Sequence, residues 1–316
     1  MRILGSTLKC GAIALASAVV VGACSSAPPP ARPVAPPITD DAAPEVLRGK
    51  VVWHDLLTHD AEAAREFYGD LFGWSFEESE EAPGQYWDIT REGQVIGGIF
   101  AADPDELDSP LWLVSVSVPD VDDAVSRASG LGAAITVQPN DFPNRGRYAV
   151  VEYPQGAFLV LLRSTSGDPR DGQDFESGDW LWTELWTTDA VGAVEFYEDL
   201  LGYRSKGIAA RLEDSAADEY GEVVADGDLP VVFFAMYGGE VVRAGIHQLP
   251  GEGTPHWLPY VAVRDVADAA ARAAELGAEV VLPPDAVENG EAAILIDPTG
   301  ALFGVQQWPR PEGGDR

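Results

Sequence analysis

Apolar and polar positions along this chain follow two periods in succession, and the succession occurs twice. Residues 51–57 (VVWHDLL) and 180–186 (WLWTELW) are short β-rich runs. Each is followed by an aspartate, Asp60 or Asp189, of the type that caps a helix. Beyond it Ala64, Phe67, Tyr68 and Leu71, or Ala193, Phe196, Tyr197 and Leu200, recur at spacings of three and four, which predicts one buried helical face. Gly73 and Gly202 stand where such helices end. Residues 91–99 (REGQVIGGI) and 237–246 (YGGEVVRAGI) then predict hairpins turning at Glu92-Gly93 and Gly238-Gly239. Further on the pattern returns, with Asp120 or Asp265 opening a helix and Gly132 or Gly277 closing it. Each half-copy reads β, α, β, β, β.

The repetition extends to residue identity. From Trp53 the chain reads WHDLLTHDAEAAREFYGDLFGW, and from Trp182, 129 residues later, WTELWTTDAVGAVEFYEDLLGY. A second pair, WLVSVSVPDVDDAVSRASGLGAAI from Trp112 and WLPYVAVRDVADAAARAAELGAEV from Trp257, is offset by 145 residues. A third pair closes each copy: Tyr153-Pro154-Gln155-Gly156-Ala157 and Asp297-Pro298-Thr299-Gly300-Ala301. Matches in the same order mark a duplication. Copy one covers residues 50–163 and copy two residues 178–309, joined by a Gly-, Ser- and Asp-rich linker at 164–177 and followed by a tail at 310–316. The two offsets differ by 16 residues, which places an insertion around 212–228 of copy two. Such an insertion costs little stability and often overlies a pocket.

Ahead of the repeat, Arg2 and Lys9 precede a small and apolar run from Gly11 to Ala23 that ends at Cys24. The run is too short to cross about 30 Å of hydrocarbon as a helix, and residues 1–23 read as a secretion signal. Val21-Gly22-Ala23-Cys24 resembles a bacterial lipobox, which implies lipidation of Cys24 and attachment to a membrane on its extracytoplasmic side, at the periplasm or cell surface. Residues 24–49, rich in Ser, Ala and Pro, are expected to form an extended tether. Cys10 leaves with the signal, so disulfides and cysteine catalysis are excluded from the expected mature chain. The net charge of -32 becomes -34 once Arg2 and Lys9 are removed. That surface repels nucleic acid and anionic headgroups, leaving the lipid anchor as the only expected membrane contact.

A strand, an Asp, FY-x-x-L-(F/L)-G-(W/Y), a later V-x-D-V-x-x-A…LGA and a closing (D/Y)-P-x-G-A together resemble the vicinal oxygen chelate superfamily of glyoxalases, bleomycin resistance proteins and extradiol dioxygenases. The resemblance covers residues 50–309. It implies an α+β fold: two tandem domains, each of two βαβββ modules whose curved mixed sheets enclose a cavity. It further implies a divalent metal held by His, Glu or Gln from the first and last strands of paired modules. The corresponding positions here are Trp53 and Trp182, then Val114 and Pro259 or their neighbours Ser115 and Tyr260, then Val160 and Gly304. None is a good metal ligand, so no metal or other cofactor is expected at them.

Aromatic residues at cavity positions suit a small apolar or aromatic ligand. The candidate ligand-binding set is Trp53, Asp55, Trp112 and Ser115 in copy one, and Trp182, Glu184, Trp257 and Tyr260 in copy two. Core packing is the competing reading for the four tryptophans. Asp55 and Glu184 follow the first-strand position by two residues and so share its face. Glu184 with His247 and His256 forms an alternative, displaced divalent-metal set. His54 is out of phase with that face, and His59 adjoins a helix cap. No Gly-rich phosphate loop, G-x-S-x-G or H-E-x-x-H occurs. Three functions therefore stand at this point: a small-molecule binder, a metal-dependent lyase, isomerase or dioxygenase in copy two, and a structural or partner-binding protein.

Overall fold

A computed structural model describes residues 36–80, 82–105, 107–172, 175–209, 232–249, 251, 253–286 and 291–308. The signal, Cys24, the insertion around 212–228 and the tail lie outside these residues.

Each half-copy forms the expected unit. The first contains β1 (Val51–Thr58), α1 (Ala61–Phe72), β2 (Ser75–Glu78), β3 (Tyr86–Arg91) and β4 (Gln94–Ala101). The second contains β5 (Leu111–Ser117), α2 (Val121–Gly130), β6 (Ala134–Phe142), β7 (Gly146–Glu152) and β8 (Phe158–Ser164). Copy two repeats them as β9 (Trp180–Thr187), α3 (Ala190–Leu201), β10 (Arg204–Ala209), β11 (Val232–Gly238) and β12 (Val241–Gln248), then β13 (His256–Val263), α4 (Val266–Glu275), β14 (Glu279–Leu282), β15 (Ala292–Ile296) and β16 (Leu302–Gln307).

Local chemistry sets the boundaries. Asp60, Asp120, Asp189 and Asp265 each accept a hydrogen bond from the backbone N–H three residues on, a cap worth about 1 kcal/mol. Gly73 (φ 72°) and Gly202 (φ 71°) end α1 and α3 in the left-handed region. Glu92 and Gly93 form the first hairpin turn as expected, both at positive φ. In copy two Gly238 pairs with Val241, so the turn falls on Gly239-Glu240, one residue beyond the expected place.

The modules of one copy share one sheet. Its order is β2-β3-β4-β1-β5-β8-β7-β6 in the first domain and β10-β11-β12-β9-β13-β16-β15-β14 in the second. Strands β1 and β7 are separated by β5 and β8, roughly 14 Å if the sheet were flat. Yet the Arg145 guanidinium, just before β7, lies 3.7 Å from the centroid of the Trp53 ring on β1. The sheet must curl to bring its flank over its middle.

Outer faces carry the helices and join the domains. The α1 half of domain 1 shares a core with the α4 half of domain 2, through Phe67, Tyr68 and Ile99 with Val261, Val266 and Phe303. The α2 half shares another with the α3 half, through Val114, Ala128 and Leu161 with Leu185, Tyr197 and Ile246. Trp112 and Trp257 belong to these outer cores, not to the inner faces for which they were candidates. Strand parity is the reason: Leu113 and Ser115 point inward, so Trp112 and Val114 point outward. Trp112 Nε1 donates to the Tyr68 hydroxyl at 2.9 Å, and that hydroxyl donates to Asp297 of domain 2 at 2.8 Å.

The end of the expected tether is docked rather than extended. Ile38 is 5% exposed, Ala42 bridges to Pro169, and the Leu47 N–H donates to the buried Asp168 carboxylate at 2.6 Å. Asp168 also accepts from Ser117 Oγ at 2.7 Å.

Candidate functional site

Three strands meet at the middle of each inner face, and their register aligns the positions singled out from sequence. Trp53 pairs with Ser115, and Ser115 with Val160. Trp182 pairs with Tyr260, and Tyr260 with Gly304. Each set is one row across the sheet. An indole N–H, an alkyl group and a glycine offer no electron pair, Ser115 offers only a neutral hydroxyl, and the Tyr260 hydroxyl stays protonated and donates to Glu184, so these rows do not fit a divalent ion. Gly304 has a packing role: a Cβ there would strike the Tyr260 ring.

In domain 1, Asp55 Oδ1 accepts from Trp53 Nε1 at 3.0 Å and from the Tyr86 hydroxyl at 2.8 Å. Tyr86 reaches Asp55 from β3 across β4, over Gly98, where a Cβ would collide with the Tyr86 hydroxyl. Burial, and next the neighbouring carboxylate, hold the Tyr86 hydroxyl well above its ordinary pKa, so it remains a donor. Apolar groups fill the rest of this face, with Trp53, Leu57, Leu113, Tyr148, Val150, Val160 and Leu162 all buried. Two members of the cluster come from outside the sheet: Ile38 ahead of β1 and Leu107 between β4 and β5.

In domain 2 the carboxylate is more heavily engaged. Glu184 Oε1 accepts from Trp182 Nε1, and Oε2 from Trp186 Nε1 and the Tyr260 hydroxyl, each at 2.9 Å. Burial first, then Glu184, drives the Tyr260 hydroxyl well above its ordinary pKa. Register sets His247, Trp186 and His256 side by side on β12, β9 and β13. The His247 ring stacks on Trp186 with centroids 4.5 Å apart and planes 11° apart. Phe233 meets His247 edge-on at 6.0 Å. His256 Nδ1 lies 2.9 Å from the Thr254 carbonyl oxygen; that oxygen only accepts, so Nδ1 carries the hydrogen and Nε2 is the acceptor in the neutral ring. Burial lowers the pKa of both histidines, against an opposing pull from Glu184 on His247 and from the Thr254 carbonyl on His256.

The alternative metal set is thus brought to one face, but its carboxylate is committed to three donors and the Trp186 ring intervenes between the two imidazoles. Among the described residues no group of three His, Cys, Asp or Glu is placed to hold a metal ion. His54 points outward, stacked on Trp180 of domain 2 at 4.2 Å, and His59 Nε2 donates to the Leu107 carbonyl at 2.7 Å. Tyr86, Arg145, Trp186 and Phe233 were not singled out from sequence. The glycines inside β4 and β12 were the available signal for Tyr86 and Phe233, because a strand glycine marks a close crossing.

Comparison with known proteins agrees with this architecture. The family model of the Glyoxalase/Bleomycin resistance protein/Dioxygenase superfamily matches residues 50–161, and that of a Glyoxalase-like domain matches residues 182–306. A putative glyoxylase of Mycobacterium tuberculosis (strain CDC 1551 / Oshkosh) is 30% identical over 274 residues, 85% of this chain and 98% of the relative. An anthracycline biosynthesis protein of Streptomyces peucetius is 29% identical over 289 residues, 84% and 97% of the two chains. Among solved structures, the Mn(II)-bound glyoxalase from Novosphingobium aromaticivorans superposes with a TM-score of 0.53 at 15% identity, covering 82% of each chain. Homoprotocatechuate 2,3-dioxygenase from Arthrobacter globiformis gives 0.54 at 16% identity, covering 86% of this chain and 82% of its own.

Proposed function

The chain belongs to the glyoxalase, bleomycin resistance protein and dioxygenase superfamily as a tandem two-domain member, and from that premise we propose that it binds a small aromatic molecule instead of running metal chemistry. The carrying observation is the pair of rows Trp53–Ser115–Val160 and Trp182–Tyr260–Gly304, which stand in register and supply no metal donor set. Domain 2 is the principal site. Trp182, Trp186 and Phe233 offer flat apolar walls, Tyr260 anchors the floor, and His256 Nε2 is an acceptor for a ligand hydroxyl. A planar polycyclic ligand suits this set, and the anthracycline biosynthesis relative supports that class. Lipidation at Cys24 would hold the protein on the extracytoplasmic side of a membrane, where binding amounts to sequestration.

Catalysis in domain 2 through Glu184, His247 and His256 is the second reading, favoured by the shared face of those residues and by the putative glyoxylase relative. Metal analysis of protein purified without chelator decides between the two. The proposal expects substoichiometric Fe, Mn, Ni and Zn, and quenching of tryptophan fluorescence by 2-naphthamide that Trp186→Ala abolishes. A stoichiometric metal that is lost in Glu184→Gln overturns it.

A further inference from the structure

Arg145 is 7% exposed, and its guanidinium lies over the Trp53 ring at 3.7 Å. Its Nη1 is buried without a hydrogen-bond partner among the described residues. Two carboxylates face this side of the sheet: Asp55 directs Oδ1 to Trp53 and Tyr86, and Asp88 follows Tyr86 by two residues on β3, so that both carboxylates and Arg145 act on the Tyr86 hydroxyl. This arrangement is costly. Burying a guanidinium N–H with no acceptor leaves its desolvation uncompensated, and an indole face returns only part of it. Nothing local compels the arrangement either, since Arg145 sits in the β6–β7 connection and is carried over the sheet only by its curl. The cation stands over Trp53, in the row at which a metal donor set is missing, and Trp53 itself belongs to the apolar cluster of this face.

We propose that domain 1 is an anion site: Arg145 takes the ionised oxygen of a ligand with an apolar body, an aromatic carboxylate or phenolate, and so serves as a fixed cation where the fold lacks a metal. Asp55 faces the same space and repels a second negative charge, so the site selects a monoanion over a dianion. The inference extends the small-molecule reading to a second site with its own ligand chemistry, and it assigns the two domains unlike ligands.

Calorimetric titration of the full chain with 2-naphthoate and its neutral isostere 2-naphthamide tests it. A hydrogen bond to a charged group predicts that the Arg145 site prefers naphthoate by about tenfold or more. Arg145→Met should abolish that preference and Arg145→Lys retain part of it, while Trp186→Ala should remove the naphthamide site and leave naphthoate binding intact. If Arg145→Met does not fold, the wild-type preference and Arg145→Lys still decide. Equal affinity for the two probes, no naphthoate binding, or a preference that survives Arg145→Met overturns the anion site. Those outcomes leave the domain 2 reading standing wherever naphthamide still binds in a Trp186-dependent way.

Discussion

Trp53 and Trp182 occupy the same place in the repeat and both donate to a carboxylate two residues on, yet Trp53 is 2% exposed and Trp182 is only partly buried. The same contrast runs through the whole inner face. In domain 1 the cluster closes with the help of Ile38 and Leu107, and a cation lies inside it. In domain 2 Trp182, Trp186, His247 and His256 remain partly exposed around a fully engaged Glu184. A duplicated fold has thus been given two interiors, one packed around a charge and one lined with open aromatic rings. The backbone frame did not have to change; side chains at a few inward positions and one segment ahead of β1 suffice.

The contrast is most severely tested by truncating the two tryptophans. Trp53→Ala should cost about 3–5 kcal/mol, the range for emptying a packed aromatic site, and Trp182→Ala less than half as much. Chemical denaturation of both variants reads the difference, and equal losses would mean the two faces are equally packed.

Next in size is acid sensitivity, which separates β1 from β9. Burial lowers His54 to a pKa of about 3, whereas copy two has Thr183 at the equivalent place. The native state therefore refuses a proton that the unfolded chain accepts. The stability gained by keeping His54 neutral is complete above pH ~6.5 and drains as the pH falls toward 3, by about 1.4 kcal/mol per unit. Relative to wild type, His54→Thr should flatten the stability profile between pH 6.5 and 4.5 by roughly 2–3 kcal/mol. Parallel profiles would remove His54 as the cause.

Ile38→Ala should cost about 2 kcal/mol, at the lower end for a buried aliphatic truncation, and should tighten naphthoate binding by uncovering domain 1. If both quantities stay at wild-type values, Ile38 is not part of that interior. The smallest expected effect is from Tyr260→Phe and Tyr86→Phe, each removing one donor to a carboxylate at about 1–2 kcal/mol. The loss should be smaller at Tyr260, because Glu184 keeps two other donors and Asp55 only one, and denaturation midpoints of the pair measure it.

Much of this molecule was legible in its sequence. The duplicated Trp, Asp and FY-x-x-L positions carried the βαβββ units, and all four aspartate caps act as their spacing implied, because a cap depends on residues a few positions away. The inward row, too, was within reach once strand parity was applied. Trp112 and Trp257 show where that reasoning ends. Each lies three residues from an inward position, Ser115 or Tyr260, so parity turns it outward, but only the partner domain packed behind the sheet shows what it meets there.

Residue identity and periodicity alone determined the duplication, the βαβββ units and their aspartate caps, since these rest on local patterns, and the resemblance those residues carry implied the domain fold and the positions at which metal donors are missing. The tertiary structure decided the rest: which modules share a sheet, that Ile38 docks instead of trailing free, that Trp186 stands between two histidines, and that Arg145 reaches Trp53. Those contacts join residues far apart in the chain, and they exist only because the sheet curls and the two outer faces bury one another.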